Sequence, residues 1–323
     1  MRIRYLSKPQ ALNIEPEEGL ERTDGIKFVL KELMQLSSFL SQTAYVDDMF
    51  VSAFPFVKES AILIMAPSNA EEGVKKLVLS QGGFVSGKRS TEAVAEFLTD
   101  VYPRKYRDKH RAIHSIFFDM DGVVWEEERI EQNRPFYRII TDYIKNCEGP
   151  YTAHPPISIA TGAYREALMR VLNYISLNKH NIPARFHRNE LPLAWPPIIF
   201  EGGCLVFDPV NATTYDLTEE QYGLVSSVYR ELISLIMALG KKIDERVPEI
   251  DKELGAKCKI APKERQGYCL DLPLEVRYNP QDLKRAHQII YHQVKDLLEK
   301  YIPSEIEIEF GGLFSQSELE ETQ

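Results

Sequence analysis

Asp119 and Asp121 stand two residues apart at the end of an apolar run, Ser115 to Phe118, and Gly122 follows them directly. A carboxylate placed there can attack a phosphoryl group and carry it as an aspartyl-phosphate. A second acid two positions on can give a proton to the leaving oxygen and later take one from water. Two like charges this close repel each other unless a cation intervenes. Mg²⁺ suits them, because it takes one or two carboxylates together with waters and phosphate oxygens. The plain alternatives are an Asp-x-Asp-Gly turn closing a strand and a fragment of a calcium loop. The calcium loop does not continue, because Val123, Val124 and Trp125 supply no oxygen ligands.

For the acids to be useful they must sit at the tip of a buried strand. The unbroken apolar run before Asp119 fits a parallel strand covered on both faces, whose carboxyl end is where open α/β sheets place their ligands. The next apolar strand, Pro156 to Ala160, ends in Thr161-Gly162, and the spacing predicts a helix over Tyr164 to Ile175. A hydroxyl at a strand tip followed by a helix amino end can hold phosphate, although threonine is also a commonplace helix cap. About 40 residues separate Asp121 from Thr161, room for a flap and one crossover helix, Pro135 to Ile144, but not for an inserted domain.

Asp119-Met120-Asp121-Gly122-Val123 behind its strand resembles the first motif of the haloacid dehalogenase-like (HAD) hydrolases, and Thr161-Gly162 resembles the second. The turn at Glu201-Gly202-Gly203, between Pro197–Phe200 and Cys204–Phe207, is similar to the Glu-Asn-Gly turn leading into the cap of one HAD subgroup. That subgroup holds sucrose-phosphate phosphatase, mannosyl-phosphoglycerate phosphatase, phosphomannomutase and the Cof-type sugar phosphatases. The turn departs from the pattern by one residue, and a generic hairpin is its bland reading. The resemblance implies an α/β fold: a Rossmann-like HAD core with a parallel sheet over 111–210, an α+β cap over 211–323 inserted after the second motif, and an N-terminal α/β extension, 1–110, of no assigned role. It implies Mg²⁺-dependent hydrolysis of a phosphomonoester of a sugar or other small metabolite. Asp119 would be nucleophile and Asp121 general acid and base, Thr161 and Gly162 would hold the phosphoryl group, and Mg²⁺ would bind Asp119 and the carbonyl of Asp121. A phosphotransferase or phosphomutase would use the same residues. A silent phospho-ligand-binding module is the reading from another class.

The resemblance also implies a lysine and a later acidic motif, and no Gly-Asp pair or strand ending in paired acids follows Thr161. The leading expectation is a longer enzyme whose missing motifs lie beyond Gln323. The alternatives are lost catalysis, or a lysine and acid drawn from the first 110 residues.

That first segment is otherwise read as follows. A helix runs from a cap at Thr23 or Asp24 through Leu40, Ala61–Met65 is a buried strand, Ser68 or Asn69 caps the next helix, and another covers Ser90–Val101. Asp47-Asp48 is read as a surface turn or helix cap, because Ala44, Tyr45 and Val46 make a poor strand, with an approach to the metal as the lesser alternative. Gly82 to Lys88 has P-loop spacing, but Arg89 stands where the loop needs Ser or Thr, so a helix-to-strand turn is expected. Tyr102 to Arg111 is basic with two tyrosines and reads as a solvated connector. Further on, the spacing predicts helices over Thr218–Ala238 and Pro280–Tyr301, with strands at Cys258–Ala261, Tyr268–Leu272, Leu274–Tyr278 and Ile306–Phe310. Lys257, Lys259, Lys263, Arg265 and Arg277 could meet a distal anionic group. His180, His187, His287 and His292 lack metal-ligand spacing.

At 323 residues and 44% hydrophobic, the chain can bury a sizeable core. A net charge of −9 argues against a nucleic-acid partner, and no apolar segment reaches spanning length. Four dispersed cysteines, Cys147, Cys204, Cys258 and Cys269, fit a reducing cytoplasm.

Overall fold

The computed structural model describes residues 2–5, 10–16, 19–33, 35, 40–106, 113–147, 152, 154–165, 167–168, 197–208, 211, 213–263, 265–273, 276, 280–306, 309–312 and 316–320. These residues form two compact units, one of residues 1–20 with 218–323 and one of residues 21–217. Strands β1 (Arg2–Tyr5) and β2 (Gln10–Glu15) belong to the first, and the chain then builds the second.

The second unit opens with α1 (Arg22–Phe28), which runs on into a wide turn, Val29–Leu33. Strands and helices then alternate: β3 (Thr43–Val46), α2 (Phe50–Lys58), β4 (Ile62–Ala66), α3 (Glu72–Ser80), β5 (Phe84–Val85), α4 (Ser90–Glu96) and α5 (Tyr102–Lys105). After these come β6 (Ser115–Phe118), α6 (Ile130–Lys145) and β7 (Ile157–Ile159). The five strands form one parallel sheet in the order β5-β4-β3-β6-β7. Helices flank it, so its central strands are buried along their whole length, as a Rossmann-like α/β core requires. The core packs Ala44, Val46, Ile64, Ile116 and Phe118 of the sheet against Val94, Phe97, Tyr137 and Ile140 of the helices. β8 (Ile198–Phe200), β9 (Leu205–Asp208) and β10 (Thr213–Asp216) form a small antiparallel sheet, and a bridge from Ala160 to Ile199 continues the order from β7 to β8.

A boundary at residue 110 would cut the large sheet between its neighbouring strands β3 and β6. Residues 21–110 are therefore not an extension: they supply three of its five strands, including the central one. β3 escapes a sequence reading because it is only half apolar. Its polar atoms are satisfied from elsewhere in the fold: the Thr43 hydroxyl pairs with His114 at 3.1 Å and the Tyr45 hydroxyl donates to the Ala160 carbonyl at 3.2 Å. A buried polar group with a partner costs little. The glycines after α3 form the expected helix-to-strand turn, with Gly82 at a φ of 73° and the Gly83 amide donating a hydrogen bond to the Val78 carbonyl.

The first unit is α+β. Its sheet runs β11 (Lys259–Lys263), β12 (Gly267–Asp271), β2, β1 and β13 (Glu309–Gly312). Its helices are α7 (Ser227–Asp244), α8 (Val247–Leu254), α9 (Pro280–Tyr301) and α10 (Gln316–Glu320). Leu12 and Ile14 of β2 share its core with Ile236, Leu239, Leu270, Ile290 and Val294, which is why the first 20 residues join the C-terminal stretch. α7 starts later than the spacing suggested, because Ser226 caps it by accepting the Tyr229 amide at 3.1 Å. Most of the expected helix over Tyr164–Ile175, the strand at Leu274–Tyr278, His180, His187 and Arg277 lie outside the described residues.

Candidate active site

Three neighbouring strands of the large sheet end level with one another. The Asp119 amide donates to the Val46 carbonyl at 2.8 Å, and the Ala160 amide to the Phe118 carbonyl at 2.9 Å. The next residues in line are Asp47 after β3, Asp119 after β6 and Thr161 just beyond β7. The expected pair, Asp119 and Thr161, thus stand on adjacent strands. Asp47 and Asp48, read from the sequence as a surface turn, are buried beside Asp119. One carboxylate oxygen from each of Asp47, Asp48 and Asp119 lies within 4.8 Å of the others.

Arg22, the first residue of α1, reaches into this group. Its Nη1 is 3.0 Å from Asp119 Oδ2 and 3.2 Å from Asp47 Oδ2, and it donates to the Tyr45 hydroxyl at 2.7 Å. A Cβ built on Gly162 would come 3.3 Å from Arg22 Nη2, so the second guanidinium nitrogen lies against the Thr161-Gly162 backbone. The Glu201–Gly203 turn seats this arginine. Gly203, at a φ of 104°, packs so closely on the Glu21 carbonyl that any side chain would overlap it, and Glu21 is the residue from which α1 starts.

Each acid is held from behind. Asp47 Oδ1 accepts the Met49 amide and the Ser52 hydroxyl, both at 2.9 Å, and Asp119 Oδ1 accepts the Met120 amide at 2.7 Å. Gly122, at a φ of 75°, leaves room for Asp48, whose carboxylate would overlap any Cβ there. Asn69, three residues past β4, does not cap the helix that follows it, α3, which starts from Glu71; its side chain serves the first amide of α4 instead. It donates to the Gly122 carbonyl at 2.8 Å and accepts the Ser90 amide at 2.9 Å, bracing the acidic turn. Asp121 is exposed and its carboxylate is not one of the three that converge. The Thr161 hydroxyl accepts the Ala163 amide at 3.1 Å, and Gly162 is half-buried.

Burial sets the electrostatics of the site. Burial pushes the Asp47 carboxyl up to about 7, and Asp119 adds to the rise, while Arg22 and the Met49 and Ser52 donors offset only part of it. For Arg22 burial opposes the charge, yet Asp119, Tyr45 and Asp47 outweigh it and hold the guanidinium well above its ordinary value. Three buried carboxylates converge here, and Arg22 pairs with two of them, Asp47 and Asp119. An all-oxygen donor set of this kind fits a hard divalent cation such as Mg²⁺.

Arg22, Asp47 and Asp48 were not among the residues expected at the site. The signal for the two acids was present, a short strand followed by paired aspartates, but Tyr45 and Thr43 weakened it. Arg22 carried no signal at all. His287 and His292 lie in the α+β unit, as do Lys257, Lys259, Lys263 and Arg265.

No protein-family profile and no curated protein matches this chain. Among solved structures it is similar to an N-terminally truncated IMP-nucleotidase of Plasmodium falciparum, at 15% identity and a TM-score of 0.28, over 71% of this chain and 52% of that one. The chain thus spans about half the length of that protein.

Proposed function

We propose that this chain is a Mg²⁺-dependent phosphatase of the HAD type that hydrolyses a small phosphorylated metabolite through Asp119. The observation that carries the reading is the convergence of the Asp47, Asp48 and Asp119 carboxylates on two neighbouring strand tips, with Arg22 paired to two of them. Asp119 attacks phosphorus and the bond to the leaving oxygen breaks, with Asp121 supplying the proton that oxygen needs. Asp121 then takes a proton from water, whose oxygen attacks the same phosphorus, releasing inorganic phosphate and restoring Asp119. Arg22 and the backbone at Thr161-Gly162 hold the phosphoryl oxygens as charge builds on them. Asp47, Asp48 and Asp119, with the Asp121 carbonyl, would hold the Mg²⁺, which offsets the acids' charge and draws electron density from the phosphoryl group.

In this reading the parts absent downstream of Thr161 precede Asp119 instead. Arg22 takes the lysine's part and Asp47-Asp48 that of the later acidic motif. Followed in a circle, the order is Asp119, Thr161, the α+β unit, Arg22, then Asp47-Asp48. That is the order of the resembled subgroup, rotated within the segment corresponding to its cap, and the α+β unit takes the part of the cap.

The test is turnover of a panel of phosphomonoesters with Mg²⁺ and with a chelator. The proposal predicts Mg²⁺-dependent release of phosphate that is lost in Asp119→Asn. Undiminished activity in that variant sinks it.

A further inference from the structure

We propose that Tyr45 is a positioning residue for this reaction: its hydroxyl sets the guanidinium of Arg22 between the acids and the Thr161-Gly162 turn. The inference rests on the phosphatase reading and adds to it a residue outside the two motifs at Asp119 and Thr161. Tyr45 lies on the central strand, is fully buried, and has its ring stacked on Phe56 with centroids 3.6 Å apart and planes 19° from parallel. Its hydroxyl makes two contacts whose roles are fixed by proton count. It has one proton, which goes to the Ala160 carbonyl at 3.2 Å, so toward Arg22 Nη1 at 2.7 Å it acts only as an acceptor.

Two carboxylates alone would draw the whole guanidinium inward, toward Asp47 and Asp119. The neutral acceptor gives Nη1 a third partner on the side of β7, which turns the guanidinium plane so that Nη2 faces Gly162. Ala160 immediately precedes Thr161, so one hydroxyl ties the arginine to the strand that carries the phosphate-holding turn. Phenylalanine would fill the same space and offer neither bond.

A double-mutant cycle of Tyr45→Phe and Arg22→Met tests this, with Arg22→Lys as a milder second background and circular dichroism to confirm folding. Two readouts are taken with Mg²⁺ present: kcat and KM for a phosphomonoester, and inorganic phosphate binding by calorimetry. In the native background Tyr45→Phe is expected to lower kcat about tenfold and weaken phosphate binding several-fold, the scale of one lost hydrogen bond to a charged group. In the Arg22→Met background it should change neither by more than about twofold, because a residue acting through another has no separate effect. Equal factors in both backgrounds, the behaviour of a merely structural residue, overturn the inference. If the native chain turns over no phosphomonoester but phosphate binding shows the coupling, the phosphatase reading fails and the role of Tyr45 stands. If it binds no phosphate, both fail.

Discussion

The backbone amide of Asp119 donates to the carbonyl of Val46 at 2.8 Å, and this bond aligns two acidic strand tips that come from distant parts of the chain. The residue after the last ladder position of each strand is an aspartate, and because the strands are parallel neighbours the two carboxylates come together. On the next strand Ala160 stands level with Asp119, and Thr161 follows one residue later. The proposed reactive groups thus stand directly at strand tips, which keeps their spacing fixed.

Asp119→Asn keeps the shape of the side chain and can still accept the Met120 amide, but it removes the charge that attacks phosphorus in the proposed reaction. Turnover of a phosphomonoester should fall by about 10³-fold or more, the usual scale for a lost nucleophile. Circular dichroism should show the native fold, because Asn fills the same space and keeps the bond to the Met120 amide. A variant that is inactive because it is unfolded would not meet this expectation.

Cation binding separates the acids by location. Asp48→Asn removes one charged ligand from the converging group, and calorimetry with Mg²⁺ should show affinity about tenfold weaker or worse. Asp121→Asn should leave the affinity within about twofold, because its carboxylate stands apart from that group while its carbonyl is retained. Equal losses in the two variants would mean that the cation sits elsewhere.

Much of this arrangement could be read from residue order, and the part that could not has identifiable causes. Asp119 was legible because Ile116, Phe117 and Phe118 make an unbroken apolar strand before it. β3 was not, since Thr43 and Tyr45 look polar until His114 and Ala160 are known to partner them. Assigning residues 1–110 to a separate extension followed from that omission. Paired acids without a convincing strand look like a surface turn, so the sheet seemed to begin at Ser115. The Glu201-Gly202-Gly203 turn was seen, but not its task, because the close approach of Gly203 to the Glu21 carbonyl joins residues remote in sequence. Arg22 is visible only once that helix start is brought to the strand tips.

Gly122→Ala should be costly for two separate reasons. A non-glycine residue at a φ of 75° carries backbone strain of about 1–3 kcal/mol, and the added methyl must also displace the Asp48 carboxylate. Urea unfolding is expected to show a loss of at least that size, together with weaker Mg²⁺ binding. A stability loss with unchanged Mg²⁺ affinity would show that Asp48 is not a ligand.

His114 gives the fold a pH dependence at a distance from the acids. It is fully buried at the start of β6, with Nε2 3.1 Å from the Thr43 hydroxyl and Nδ1 2.6 Å from that of Ser115. Burial holds the imidazole down to about 4, from an ordinary value of 6.5. The folded state therefore refuses a proton that the unfolded chain accepts. Stability from this group is complete above 6.5, falls as the pH drops, and levels off below about 4. The difference of about 2.5 pKa units corresponds to roughly 3 kcal/mol. Denaturant unfolding between pH 7.5 and 4 should show this loss, superimposed on the slower change from the carboxylates. His114→Gln keeps a polar group between the two hydroxyls but cannot titrate, so it should flatten the curve between 6.5 and 4 even if it is less stable at neutral pH. An unchanged slope in that variant would assign the acid sensitivity to other groups.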